Sequence, residues 1–283
     1  MFQNLQMKYM FLGVLVLQTT SLVLIMRYSR TLTGDGSRYL TSSAVVSAES
    51  EYIRLSSCHF SVRAMNQLLT EEILSKPLET MKLAIPAGIY TLQNNLLYVA
   101  LSNLDATTYQ WPTASVGDSE EKVLSASFQF VGLMAVLTAC IFSGFAGVYF
   151  EKILKEAKQS LWVRNVQLGL FGFVFSTLGM MVYDGERVAQ SGMFQGYNKI
   201  TCTVVVLQAL GGLVVALVMK YADNILKGFA TSLSIIVSML ISYFLLGDFN
   251  PTGMFFSGAA LVIAATFLYG YEHKPASGSA EKV

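Results

Sequence analysis

Long apolar runs separated by short polar stretches set the pattern of this chain, and most are close to the roughly 20 residues that an α-helix needs to cross a bilayer. Seven clear membrane-spanning helices are expected, over residues 9–26, 83–104, 128–150, 166–183, 200–219, 225–246 and 254–271. The first lies near the N-terminus, where a signal peptide would. It continues past Ser21 through Leu22-Val23-Leu24-Ile25-Met26 without a small-residue cleavage site, so it is read as a retained helix. Two stretches break the pattern. Residues 40–60 open like a helix at Val45-Val46, but Glu49, Glu51, Arg54, Ser56 and Ser57 follow. That content is too polar to face lipid and predicts a degraded helix. Residues 113–127 read as a polar linker, and residues 272–283 as a short polar tail.

Basic residues orient the helices. Lys152, Lys155, Lys158 and Arg164 crowd one connection, Lys220 lies in another, and Lys274 and Lys282 stand in the tail. Loops rich in Lys and Arg stay on the cytoplasmic side. The connections around 184–199 and 247–250 then fall on the opposite side, and the last five helices alternate consistently. Upstream the alternation fails: Arg27, Arg30 and Arg38 follow the first helix, and an odd number of crossings would put the termini on opposite faces. The irregularity therefore belongs to the N-terminal half.

Composition narrows the function. The chain is 53% hydrophobic and only 13% charged, with mean hydropathy +0.51, values of an integral membrane protein. A net charge of +1 and no basic cluster interleaved with aromatics argue against nucleic-acid binding. Cys140 and Cys202 fall inside apolar runs, and His59 and His273 have no Cys or His at ligand spacing, so neither a disulfide framework nor a metal site is expected. No catalytic motif and no cofactor signature emerge, which argues against an enzyme.

The chemistry that remains is amide chemistry. Gln93-Asn94-Asn95 sit inside the apolar run 83–104, and an amide left unpaired in hydrocarbon costs several kcal/mol. Those groups must face protein, water or a polar solute, as on a permeation pathway. Tyr90, Gln93 and Asn94 fall at i, i+3 and i+4, one helical face. Interhelical amide bonding is the plainer alternative. Lys227, just inside a helix that starts near Asp223-Asn224, suits an anion, against the alternative of a lysine reaching back to the interface, which Lys220 fits better. Ser143-Gly144 with Gly147, and Gly211-Gly212, have the spacing of close helix packing, while Gly169 leaves room for a group beside it.

The segments YTLQNNLLYVALSNLDATTYQ, GFAGVYFEKIL, SLWVRNVQLG and KYADNILKGFATSLSII, with FLGVLVLQTTSLVLIMRYSRTL at the start and FLYGYEHKPA at the end, are similar to the nucleotide-sugar transporter family. The resemblance covers about nine tenths of the chain. It implies an all-α drug/metabolite-transporter-like bundle of inverted five-helix repeats, ten helices in complete members, with substrate held near mid-membrane and alternating access. Residues 128–271 resemble a complete second repeat and residues 1–112 an incomplete first one, because a fourth and fifth helix are missing between Gln110 and Trp111. The family's acidic residue followed three positions later by lysine is matched at Glu49, but Tyr52 stands where the lysine would be.

By the same resemblance, Tyr90, Gln93, Asn94 and Tyr109 surround the nucleobase and ribose, Lys227 approaches the phosphates, and Asn165 and Ser143 are weaker polar contacts. Tyrosine offers a flat face with a polar tip, and a carboxamide both donates and accepts, which suits a uracil edge. The implied activity is exchange of UDP-N-acetylglucosamine for UMP across the Golgi membrane, with UDP-galactose and CMP-sialic acid as open alternatives. The residues Val166-Gln167-Leu168-Gly169-Leu170-Phe171 after Arg164-Asn165 favour the first. Expected partners are the lipid bilayer and, beyond it, a second copy, other nucleotide-sugar transporters or glycosyltransferases. The second reading is that this shortened chain no longer transports and serves as a membrane interaction partner.

Overall fold

Helix ends in this chain are set by identifiable side chains. Asn198 Oδ1 accepts the Thr201 amide at 2.8 Å and Asp223 Oδ1 accepts the Leu226 amide at 2.8 Å, so two helices begin on a capping Asn and Asp. A proline at the first position opens the shortest helix. Glycines with positive φ, Gly192 and Gly196, shape the turn after another.

The computed structural model describes residues 2–31, 39–58, 70–71, 73, 75–109, 118–156, 159–246 and 253–272, and these are built from helices. In chain order they are α1 (Phe2–Thr31), α2 (Thr41–Ser57), α3 (Pro77–Met81), α4 (Ala84–Tyr109), α5 (Asp118–Glu156), α6 (Leu161–Ser191), α7 (Lys199–Tyr221), α8 (Asn224–Ile241) and α9 (Gly253–Glu272). A π-helical turn, Ser242–Leu246, prolongs α8.

Among the described residues five segments are long and apolar enough to span a bilayer: Gln6–Met26, Phe130–Glu156, Leu161–Ser191, Lys199–Tyr221 and Asn224–Phe244. Phe255–Tyr269 is a shorter apolar helix. The run expected at 83–104 is helical as α4, with side chains described only to residue 96.

The sequence pattern and the structure differ at two places. Residues 41–57 are not a broken element but the regular helix α2, with Ser42, Ser43, Ala44, Val45, Val46, Ala48, Tyr52 and Ser56 buried. Its 17 residues span about 25 Å, close to the hydrocarbon thickness. Small residues let it lie close against α6 and α7, so its polar groups meet protein instead of lipid. Glu51 and Arg54 pair at 2.7 Å on its outer face. The second difference concerns the expected linker at 113–127, because α5 already begins at Asp118.

With α2 in place the helices alternate in direction. Phe11 stacks on Tyr221, Lys155 Nζ donates to the Ala222 carbonyl at 3.1 Å, and Tyr269 hydroxyl donates to Asp223 Oδ2 at 3.4 Å. These contacts gather the start of α1, the end of α5, the α7–α8 turn and the end of α9 at one end of the bundle, the end with the basic loops. Ser42 donates to Asp184 Oδ2 at 2.6 Å and Ser29 lies 3.2 Å from Tyr39 Oη, which gathers the end of α1, the start of α2 and the end of α6 at the far end. The parity conflict in the sequence reading arose from leaving α2 out.

Candidate functional site

Seven helices surround one cavity of about 300 Å³ in the middle of the bundle, at the small end of the roughly 300–1,000 Å³ found for ligand sites. Five of the expected site residues line it: Tyr90, Gln93 and Asn94 on α4, Ser143 on α5 and Lys227 on α8. Tyr90 Oη and Gln93 Oε1 are buried without a hydrogen-bond partner among the described residues, and both belong to the cavity wall. Leaving such an atom unpaired costs about 1–3 kcal/mol, which a polar solute can repay. The Tyr90 ring is held edge-on by Phe150, with centroids 6.4 Å apart and planes at 88°. Asn95, the third amide of the run, turns back and donates to the Thr91 carbonyl at 2.8 Å.

One expected residue with a described side chain is not brought to the cavity. Asn165 is fully buried on α6, yet it is not part of the lining, and neither Oδ1 nor Nδ2 has a partner among the described residues. The side chain of Tyr109, at the end of α4, lies outside the described residues.

Lys227 owes its place to the start of α8. Asp223 caps that helix, and Glu151 Oε2 accepts the Asn224 amide at 2.8 Å while its Oε1 accepts from Lys155 at 2.6 Å. The Asn224 side chain fills the space a Cβ at Gly147 would need, so α5 and α8 touch there with no atom to spare. One turn inside this clasp, Lys227 reaches the cavity. Lys220 behaves differently: it is exposed and stands 5.5 Å over the Tyr221 ring.

The opposite wall carries residues that sequence reasoning left out of the site. Glu49 and Tyr52 on α2, Gln18 on α1 and Gln208 on α7 all line the cavity. A Cβ at Gly172 would stand 2.6 Å from Glu49 Oε2, and one at Gly169 would stand 2.9 Å from Tyr52 Cδ1. On the other edge of the same ring, a Cβ at Gly212 would meet Tyr52 Cε2 at 2.8 Å. Gly169 and Gly172, at i and i+3 on α6, thus receive successive turns of α2, and the Tyr52 ring is gripped between α6 and α7. The room that Gly169 leaves is occupied by Ile53 and Tyr52. Gln18 Nε2 donates to the Leu207 carbonyl at 2.9 Å and lies flat over Gly211.

The basic end below the cavity is closed by the buried side chains Leu83, Phe150, Leu161, Ala216 and Met219. Arg164, only 4% exposed, reaches across to α3: Nη2 lies 3.5 Å from Glu79 Oε2 and Nη1 donates to the Glu79 carbonyl at 3.3 Å. Lys82 donates to Glu79 Oε1 at 2.5 Å, and this hydrogen bond, helped by Arg164, holds the Glu79 carboxyl below its ordinary pKa.

The chain is similar to known proteins over nearly all of its length. A family model described as nucleotide-sugar transporter matches residues 3–114 and 110–270. The UDP-N-acetylglucosamine transporter of Homo sapiens is 59% identical over 325 aligned positions, covering 98% of this chain and 98% of the relative. That of Mus musculus is 59% identical over 322, covering 95% and 97%. The UDP-galactose translocator of Mus musculus is 42% identical over 310, covering 93% and 78%. The first alignment is longer than the 283 residues of this chain, so some of the relative's residues have no counterpart here.

Proposed function

Because this chain belongs to the nucleotide-sugar transporter family, a multi-pass membrane family that carries out no chemical reaction, we propose that it moves UDP-N-acetylglucosamine across the Golgi membrane in exchange for UMP. The observation that carries this reading is the convergence of Tyr90, Gln93, Asn94 and Lys227, from helices far apart in sequence, on one cavity. The 59% identity to UDP-N-acetylglucosamine transporters against 42% to the UDP-galactose translocator favours the N-acetylated sugar.

Each group has a task that its chemistry suits. Tyr90 offers an aromatic face and a free hydroxyl to the nucleobase, and Gln93 and Asn94 can both donate to and accept from its edge. Lys227 supplies the cation for the phosphates, which substrate and counter-substrate share, so both are held by one group. The remaining wall, with Glu49 as an acceptor for hydroxyl groups and Tyr52 as a flat apolar face, is left for the sugar. The site works by binding and release from alternate sides, with no bond made or broken.

The family's inverted repeats are read here as a complete second repeat in α5 to α9 and a shortened first repeat in α1, α2 and α4. The split family match at residues 110–114 and the unpaired positions in the longest alignment support a deletion there. The convergence of Tyr90, Asn94 and Lys227 on one cavity speaks against the competing reading, that the shortened chain only pairs with another transporter or a glycosyltransferase.

Uptake of labelled UDP-N-acetylglucosamine into proteoliposomes tests the proposal. Vesicles preloaded with UMP should accumulate label well above empty vesicles. Equal uptake in both would contradict exchange, and preference for UDP-galactose would move the assignment to the other sugar.

A further inference from the structure

Hydroxyl groups hold described helices together at the end of the bundle opposite the basic loops. Tyr197 Oη lies 3.2 Å from Ser43 Oγ and 3.1 Å from Ser47 Oγ, and Ser42 donates to Asp184 Oδ2 at 2.6 Å. The Tyr39 ring stands edge-on to Tyr197 with centroids 6.3 Å apart. Every one of these contacts ties α2 or the residues before it to the end of α6 and the turn into α7.

The turn is built to present Tyr197 in one place. Gly192 (φ 82°) and Gly196 (φ 69°) give it backbone angles that other residues rarely adopt. Tyr197 N donates to the Phe194 carbonyl at 3.2 Å, the Phe194 ring packs edge-on at 5.3 Å, and Asn198 caps α7 immediately afterwards. On α2 the residues next to Ser47 are Ala48 and Glu49, which line the cavity, and on α7 Gln208 and Ala209 follow one turn after Val205, which packs with Tyr39, Ala44, Ala48 and Tyr197. The hydroxyl contacts therefore lie directly above the cavity. At the basic end, beyond the Arg164–Glu79 contact, the packing is apolar, and separating it would expose Leu83, Phe150, Leu161 and Met219 together. Hydroxyl contacts part at lower cost, because water re-solvates each freed group.

We propose that Tyr197 is the latch of the far mouth: its hydroxyl, shared by Ser43 and Ser47, holds α2 against the α6–α7 turn, and the cavity opens to that side when those contacts are released. The proposal rests on the transport reading, since only a carrier with alternating access needs such a mouth.

The test uses the full chain in proteoliposomes, with Cys58, Cys140 and Cys202 replaced by alanine. Ser42→Cys with Asp184→Cys should cross-link on oxidation, stop UMP exchange and regain it with a reductant, while UMP still raises the melting temperature of the oxidised protein. Separately, Tyr197→Phe should speed labelling of Gln208→Cys by a membrane-impermeant maleimide from the far side by about tenfold, the loss of two hydroxyl contacts. Failure to cross-link, exchange at the reduced rate after cross-linking, or unchanged labelling in Tyr197→Phe would each overturn the latch. If the reduced protein does not exchange at all, the transport reading fails while the labelling arm still decides the latch.

Discussion

The α4 wall and the α2 wall of the cavity use the same kinds of polar side chain on helices of opposite character. α4 carries Tyr90, Gln93 and Asn94 within an apolar run, where amides stand out because lipid or protein must surround them. α2 carries Glu49 and Tyr52 among serines and further charges, so nothing marks any one residue. The difference lies in what each helix touches. α2 is covered by α6 and α7 and can be polar on its buried faces, because Ser42, Ser43 and Ser47 find partners and glycines make room for Glu49 and Tyr52. Apolar length is a measure of lipid contact, and a helix buried in protein need not meet it.

The comparison can be broken most strongly at Lys227, the one cation among the described residues that line the cavity. Lys227→Ala should weaken UMP binding by about 10–100-fold, the worth of a charged hydrogen bond, and leave binding of uridine, which has no phosphate, unchanged. Titration of the purified protein with both ligands checks this.

Next comes the grip on the α2 wall. Gly212→Ala puts a methyl against the Tyr52 ring, which Gly169 blocks from the other side, and should destabilise the fold by about 1–3 kcal/mol. Measured in a Tyr52→Leu background, the same change should cost clearly less, and a thermal double-mutant cycle reads the coupling. A smaller effect is expected on the α4 wall. Gln93→Leu removes a buried oxygen that has no partner among the described residues, so stability should hold or rise while UMP affinity falls about fivefold. Smallest is Gly144→Ala, within about 0.5 kcal/mol, because nothing lies within 4 Å of the new methyl.

Much of the scaffold was legible because lipid imposes a simple rule. The runs at 128–150, 166–183, 200–219 and 225–246 became α5 to α8, and Asp223-Asn224 announced the start of α8. The site was legible where polarity interrupts an apolar run, at Gln93, Asn94 and Lys227. It was not legible in α2, whose polar groups are satisfied by residues more than 100 positions away, such as Asp184 and Tyr197. Glycine spacing held the missing signal. Gly169 and Gly172 stand at i and i+3, and Gly212 faces them from α7, which marks a groove that something must fill. Asn165 shows the converse: the family resemblance marked it as a polar contact, but it is not among the residues that line the cavity.

The central claim is that α2 and α4 face each other across one substrate site. Single cysteines at Glu49→Cys and Gln93→Cys, in a chain otherwise free of cysteine, test it most directly through their rates of maleimide labelling with and without saturating UDP-N-acetylglucosamine. The structure predicts that the ligand slows labelling at both positions. Protection at Gln93→Cys with an unchanged rate at Glu49→Cys would show that α2 is scaffold alone and would contradict the account.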